Sequence, residues 1–289
     1  MEYITLKRCH NVEMPSIMMG TSLWDLYSKD PSKKQELLLR LEKAVKFSLN
    51  NNILGFDTAH DYFNESLLGD IFEEYYSQGH ARKELFITTK VGNSQQINGN
   101  MEQALKMSLE QLKTDYIDLW LLHWPYPELY LRNWRQMWNL YEQGKVRAVG
   151  IANVRERHLK EIQKAGLPLP HVIQIEHHPF RTETKLLDFC KEYDLQVEAY
   201  SANACMLPFV KSNTTLKSLA KKHNKSITQI MMRWHYQHGI VPIFSSLTPE
   251  HILENVDINF ELSQDEMNSL FDLDIDYKFH PESVGCLGY

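Results

Sequence analysis

The chain has 289 residues, 43% of them hydrophobic, with a formal net charge of -6 and a pI near 6.1. That length supports one large core or two smaller ones, and nothing in the mildly acidic balance points to a nucleic acid or an anionic membrane as partner. The four cysteines, Cys9, Cys190, Cys205 and Cys286, are scattered without metal-type spacing. The N-terminal stretch Met1 to Lys7 has no apolar leader, and no run of about 18 apolar residues occurs. The expectation is a cytoplasmic protein with reduced thiols, no membrane span and no bound metal. Without low-complexity or linker-like segments, residues 1–289 read most simply as one domain.

Tyr3 to Lys7 alternates, and Asn11 to Met14 follows a turn candidate, so a small N-terminal β-hairpin is predicted. Ser16–Gly20 is a short apolar strand, and Lys33–Asn50 carries Leu37, Leu38, Leu41, Val45 and Leu49 on one helical face. The apolar run Ile53, Leu54, Phe56 then stops at Asp57. After it come His60, Asp61 and Tyr62, and a helix for which Asn64 is the candidate cap and Glu65 sits in the first turn. Strand and helix then alternate. Strands are expected at Leu85–Lys90, Tyr116–His123, Lys145–Ala152, Val172–Glu176, Gln196–Ser201 and Gly239–Phe244. Helices are expected at Met101–Leu112, Asn133–Gln143, Arg155–Ala165, Thr184–Tyr193, Thr214–His223 and Ile227–Gln237. Two more close the chain, one with Thr248 as cap and Pro249 at its first position, and one over Ser263–Leu273 with a Ser263/Glu266 capping box.

Counted from Ser16, that is eight short apolar strands, each followed by helix. The pattern predicts an α/β protein, a (β/α)8 TIM barrel of buried parallel strands preceded by the hairpin. An open doubly wound sheet is the alternative, disfavoured because no G-x-G-x-x-G follows the first strand.

In such a barrel the strand ends converge on one face. Asp57, Lys90, His123, Asn153, Gln174 with Glu176, and Tyr200 with Ser201 fall at or just beyond successive strand ends. Singly, Lys90 reads equally as a surface lysine and His123 as a satisfied core histidine. Together they are hard to explain by packing. A tyrosine has a reference pKa near 10, too high for an efficient acid at neutral pH, and a nearby ammonium lowers it. A carboxylate keeps the ammonium charged, and a histidine orients a carbonyl oxygen. Tyr62, Lys90, Asp57 and His123 thus suit proton delivery to an oxygen while hydride reaches the carbon, which implies a nicotinamide.

These residues resemble the aldo-keto reductase family over nearly the whole chain. The match runs through Asp57-Thr-Ala with Tyr62, Asn64-Glu65 and Leu68-Gly69, then Thr89-Lys90 and Leu121-Leu-His123-Trp-Pro125. It continues through Lys145–Gly150, Gln174–Pro179, Ala199-Tyr-Ser201, Arg233-Trp and Glu254-Asn255. The resemblance implies Tyr62 as general acid, Lys90 and Asp57 as its tuners, and His123 as carbonyl orienter. It implies Asn153 and Gln174 on the nicotinamide carboxamide, Tyr200 stacked on the ring, and Thr21, Ser201, Asn203, Ser245, Ser246, His251, Glu254 and Asn255 near the rest of the cofactor. Trp24, His60 and Trp124 are candidates for the substrate pocket, with a solvated loop as the competing reading for His60 and core packing for Trp124. The C-terminal tail would lie over the barrel mouth. Glu176 with His177 and His178 suggests no metal, because adjacent histidines on an extended chain point to opposite sides.

Three departures from the family pattern stand out. Ala152 replaces the usual Ser before Asn153, and Ser201-Ala-Asn-Ala-Cys205 replaces Ser-Pro-Leu-Gly. Ser245-Ser246 and His251 stand where NADPH-selective members carry a lysine and an arginine, so NADP(H), NAD(H) or both are expected as cofactor. The substrate is a small carbonyl compound or alcohol, and the expected state is a monomer or weak oligomer. A catalytically weak nicotinamide-binding protein on the same fold is the alternative.

Overall fold

The computed structural model describes residues 2–9, 12–23 and 30–280. Trp24 and the tail residues Pro281 and Cys286–Tyr289 lie outside the described residues. Strands β1 (Tyr3–Thr5) and β2 (Glu13–Pro15) form an antiparallel pair in which Tyr3 faces Pro15. The next eight strands are β3 (Met18–Gly20), β4 (Gly55–Asp57), β5 (Phe86–Val91), β6 (Ile117–Leu122), β7 (Val146–Ala152), β8 (Val172–Glu176), β9 (Gln196–Tyr200) and β10 (Val241–Phe244). They close into a parallel barrel in chain order, with β10 pairing β3.

The helices are α1 (Pro31–Asn50), α2 (Glu65–Ser77), α3 (Asn93–Asn98), α4 (Met101–Gln111), α5 (Tyr130–Glu142) and α6 (Glu156–Lys164). They continue as α7 (Thr184–Glu192), α8 (Pro208–Ser212), α9 (Thr214–His223), α10 (Ile227–Gln237), α11 (Pro249–Val256) and α12 (Gln264–Phe271). The barrel strands are buried along almost their whole length, which is why they read as apolar runs and not as alternations. Trp120, Leu122, Val149 and Ile151 pack outward against the helices. Leu119, Leu121, Ala148 and Val172 pack with Leu6, Val12 and Met14, so the hairpin residues share the core of these strands. A satellite core around Trp234, Met231, Leu219 and Leu270 joins α9, α10 and α12.

Local expectations are corrected at several points. The six-residue α3 and five-residue α8 were not predicted, being too short for an apolar stripe to repeat. Asn64 occupies the α2 N-cap position without capping by its side chain. It accepts from the Thr58 hydroxyl at 2.7 Å and donates to the Thr21 carbonyl at 2.9 Å, tying two loops at the barrel mouth together. Thr248 likewise occupies the α11 N-cap position without capping by its side chain, and its N–H donates to the Ser246 hydroxyl at 3.1 Å. The Ser263/Glu266 capping box forms as predicted.

The tail runs back across the mouth to His280. The Ile275 and Tyr277 N–H groups donate to the Phe180 carbonyl, at 3.3 and 2.9 Å. The Phe279 and His280 N–H groups reach the two oxygens of Glu176 at 2.6 and 2.9 Å. No helix among the described residues is long and apolar enough to cross a membrane.

Candidate active site

At the end of β4, Asp57 faces Lys90 from β5. Lys90 is completely buried, and its Nζ lies 2.6 Å from Asp57 Oδ1, 3.0 Å from the Thr58 carbonyl and 3.3 Å from Tyr62 Oη. Burial disfavours the ammonium, yet the Asp57 carboxylate and the Tyr62 oxygen outweigh it and hold the Lys90 pKa above its usual value. Tyr62 ends the single turn His60–Tyr62, and Lys90 Nζ lies 4.9 Å from the centre of its ring. The expectation that Lys90 would lower the Tyr62 pKa meets a stronger opponent. Burial raises it, Lys90 pulls it down and Asp57 pushes it up again, and the net direction is upward.

His123 follows β6, and its ring meets that of Tyr62 edge-on at 5.6 Å between centroids. Burial depresses its pKa, helped by the Lys90 charge, while Asp61 works the other way. The histidine is therefore uncharged at neutral pH. Its Nδ1 lies 3.6 Å from Asp61 Oδ2. Asn153 sits in the left-handed region at φ 59°, which asparagine tolerates. Its Nδ2 donates to the His123 carbonyl at 2.8 Å, and its Oδ1 accepts from the Tyr200 hydroxyl at 2.7 Å. One side chain thereby couples the ends of β6, β7 and β9. Both hydrogens of the Gln174 amide are committed, to Asp57 Oδ2 at 2.8 Å and to Glu198 Oε2 at 2.9 Å.

These groups border a cavity of about 850 Å³. Asp57, Tyr62, His123, Trp124, Asn153, Gln174, Tyr200, Ser201, Asn203 and Ser245 all line it. Thr21 and His60 do not. The Thr21 side chain is turned away, its hydroxyl donating to the Asp57 carbonyl at 3.0 Å. His60 turns to Glu65, whose Oε2 lies 3.7 Å from its Nδ1, while the neighbouring Asp61 lines the cavity. Ser246, Glu254 and Asn255 are also outside the lining. Ser246 closes a local turn with Thr248, and Asn255 donates to the His251 carbonyl at 2.6 Å and leaves its buried Oδ1 without a partner. His251 is exposed on α11.

The sequence reading missed three contributors. Glu198 lies inside β9, where a charged residue two positions before Tyr200 was the available signal. Asn93 opens α3 and Cys205 lies in the single turn Ala204–Met206, neither at a strand end, whereas His280 belongs to the tail expected over the barrel mouth. Glu176 serves that course and holds His178 Nε2 at 3.3 Å. The loop after β9 has Ser201, Ala204, Cys205 and Met206 at positive φ, so the absence of glycine there is met by strained backbone at about 1 kcal/mol or more per residue.

The sequence model of the Aldo/keto reductase family matches residues 16–275. The chain is 38% identical over 278 residues to a glyoxal reductase of Bacillus subtilis (strain 168), covering 96% of this chain and 95% of that one. The crystal structure of MGS-M4, an aldo-keto reductase from a Medee basin deep-sea metagenome library, has a TM-score of 0.84 at 34% identity and covers 94% of this chain and 95% of its own. The aldo-keto reductase AKR2E5 of the silkworm, Bombyx mori, solved with NADPH, has a TM-score of 0.86 at 27% identity and covers 96% and 89%.

Proposed function

The chain belongs to the aldo/keto reductase family, and we propose that it is an NAD(P)H-dependent reductase of small aldehydes and ketones, α-dicarbonyl compounds such as glyoxal and methylglyoxal among them. The observation that carries this reading is the buried Lys90, which touches both Asp57 and Tyr62 while Tyr62 and His123 face one cavity. The similarity to a glyoxal reductase supports the substrate class.

The residues fit a nicotinamide dinucleotide. Amides and hydroxyls from Asn153, Gln174, Ser201, Asn203 and Ser245 suit a carboxamide, riboses and phosphates, and Tyr200 offers an aromatic face. The orphaned Oδ1 of Asn255 is an acceptor of the kind an adenine amine satisfies. When bound, the reduced cofactor supplies hydride to the carbonyl carbon.

The rest of the chemistry belongs to the chain. Tyr62 holds the proton at Oη and passes it to the carbonyl oxygen. Lys90, 3.3 Å behind, stabilises the phenolate this leaves, and Asp57 keeps Lys90 charged and aimed. An uncharged His123 holds the carbonyl oxygen in line through a ring nitrogen.

Cofactor preference follows from Ser245, Ser246 and His251. With neither a lysine nor an arginine at these positions, the enzyme uses both NADH and NADPH, with affinities within roughly 100-fold of each other by fluorescence titration, a spread of about 2.8 kcal/mol. The test of the function is loss of reduced-nicotinamide absorbance with each cofactor over a panel of aldehydes, α-dicarbonyls, ketosteroids and sugars. Turnover of small aldehydes is expected. Cofactor binding without turnover of any of them would make the chain a binding protein.

A further inference from the structure

The Asp61 carboxylate occupies a place next to the reacting groups that the reaction itself does not use. It neighbours Tyr62 in the His60–Tyr62 turn and lines the same cavity. It is fixed from two sides. The Asn93 N–H donates to Oδ2 at 3.2 Å, and Gly92 leaves room for the carboxylate, since a Cβ there would come within 2.1 Å of Asp61 Oδ1. So held, Oδ2 lies 3.6 Å from His123 Nδ1.

We infer that Asp61 sets the charge class of the substrate: the site takes uncharged carbonyl compounds and turns away those with a carboxylate beside the reacting carbon. This rests on the reductase reading above and deepens it.

The charges around the cavity support the inference. Asp57 and Asp61 line it, and no lysine or arginine does among the described residues. Lys90 lies beneath Tyr62, fully buried and committed to Asp57 at 2.6 Å. Of the two histidines in the lining, burial depresses the pKa of His123 and of His280, so neither offers a standing positive charge at neutral pH. His60 faces Glu65 and not the cavity.

A carbonyl held by Tyr62 and His123 would place an α-carboxylate roughly 6–8 Å from Asp61, within about one screening length at physiological salt. At that separation like charges disfavour binding by about 3-fold at the dielectric constant of water, and by about 50-fold at the value of about 20 typical near protein surfaces.

The experiment compares glyoxylate with methylglyoxal as substrates of the wild type and of Asp61→Asn, which keeps an acceptor for the Asn93 N–H. The ratio of kcat/KM values, glyoxylate over methylglyoxal, should rise at least about 3-fold in the variant, and added salt should raise it in the wild type more than in the variant. Gly92→Ala, which forces the carboxylate from its seat, should move the ratio in the same direction. If Asp61 merely supports His123, both substrates lose turnover in proportion, and an unchanged ratio overturns the inference. A second readout needs no turnover. Trp124 borders the cavity, so tryptophan fluorescence of the cofactor-loaded protein can follow benzoate against benzamide. Benzamide should bind more tightly to the wild type, and the difference should shrink at least about 3-fold in Asp61→Asn. A wild type that turns over no member of the carbonyl panel refutes the reductase reading alone, whereas a benzoate-to-benzamide preference untouched by the substitution refutes the role of Asp61.

Discussion

Glu198→Gln should remove a pH-dependent weakness from the barrel core. Glu198 is fully buried, its Oε1 has no partner, and its Oε2 shares the Gln174 amide with Asp57. Burial first, and the neighbouring Asp57 second, push its pKa from the ordinary 4.5 up to about 8. The sign follows from proton binding. Between these values the native state keeps the proton and the unfolded chain has lost it, so stability falls as pH rises through that window and levels off above it. At about 1.36 kcal/mol per pH unit the effect is capped near 5 kcal/mol, and relaxation around the charged group leaves roughly 2–4 kcal/mol expected. Urea unfolding of wild type and Glu198→Gln from acid to alkaline pH measures it. The two should have similar stability near the acid end of the window, and the variant should become the more stable by a few kcal/mol above it. Curves that stay parallel across the window would show that Glu198 is charged throughout in the native state, and would refute the reasoning.

Two further predictions concern the cofactor end and the tail. The double variant Ser245→Lys/His251→Arg should tighten NADPH by about 30-fold or more while changing NADH by under about 3-fold, because only the 2′-phosphate gains charge-assisted contacts. Equal gains for both cofactors in fluorescence titration would place the 2′-phosphate elsewhere. Glu176→Ala strips the acceptors from the Phe279 and His280 N–H groups. Hydrogen exchange in residues 275–280 should then speed up by about tenfold or more, at about 1–3 kcal/mol per donor left unpaired. Unchanged protection would mean that the tail is held mainly by Phe180 and its neighbours.

The barrel was legible because its signals are local. Apolar runs end in Asp57, Lys90 and His123, and amphipathic helices recur between them. The closed sheet, the hairpin and the family follow from those patterns and are what the structure and the relatives display. What escaped the sequence depends on direction and on backbone. Thr21 and His60 stand at the expected loops, but their side chains turn to the Asp57 carbonyl and to Glu65. Asn64 looked like a helix cap and instead ties Thr58 to Thr21, because two nearby loops offer it better partners than the helix end does. The seat of Asp61 is the missing side chain of a glycine 31 residues away, which no periodicity encodes. The anchoring of the tail uses backbone N–H groups, which any residue would supply.

The central claim is that Tyr62 delivers the proton, with Lys90 and Asp57 behind it. Tyr62→Phe keeps the ring beside His123 and removes only the hydroxyl. Reduction of methylglyoxal and of the other small aldehydes should fall by at least about 10²- to 10⁴-fold, the span general acid catalysis contributes, while titration shows NADPH and NADH binding within about 3-fold of the wild type. Rates unchanged in Tyr62→Phe, with cofactor binding intact, would contradict the account.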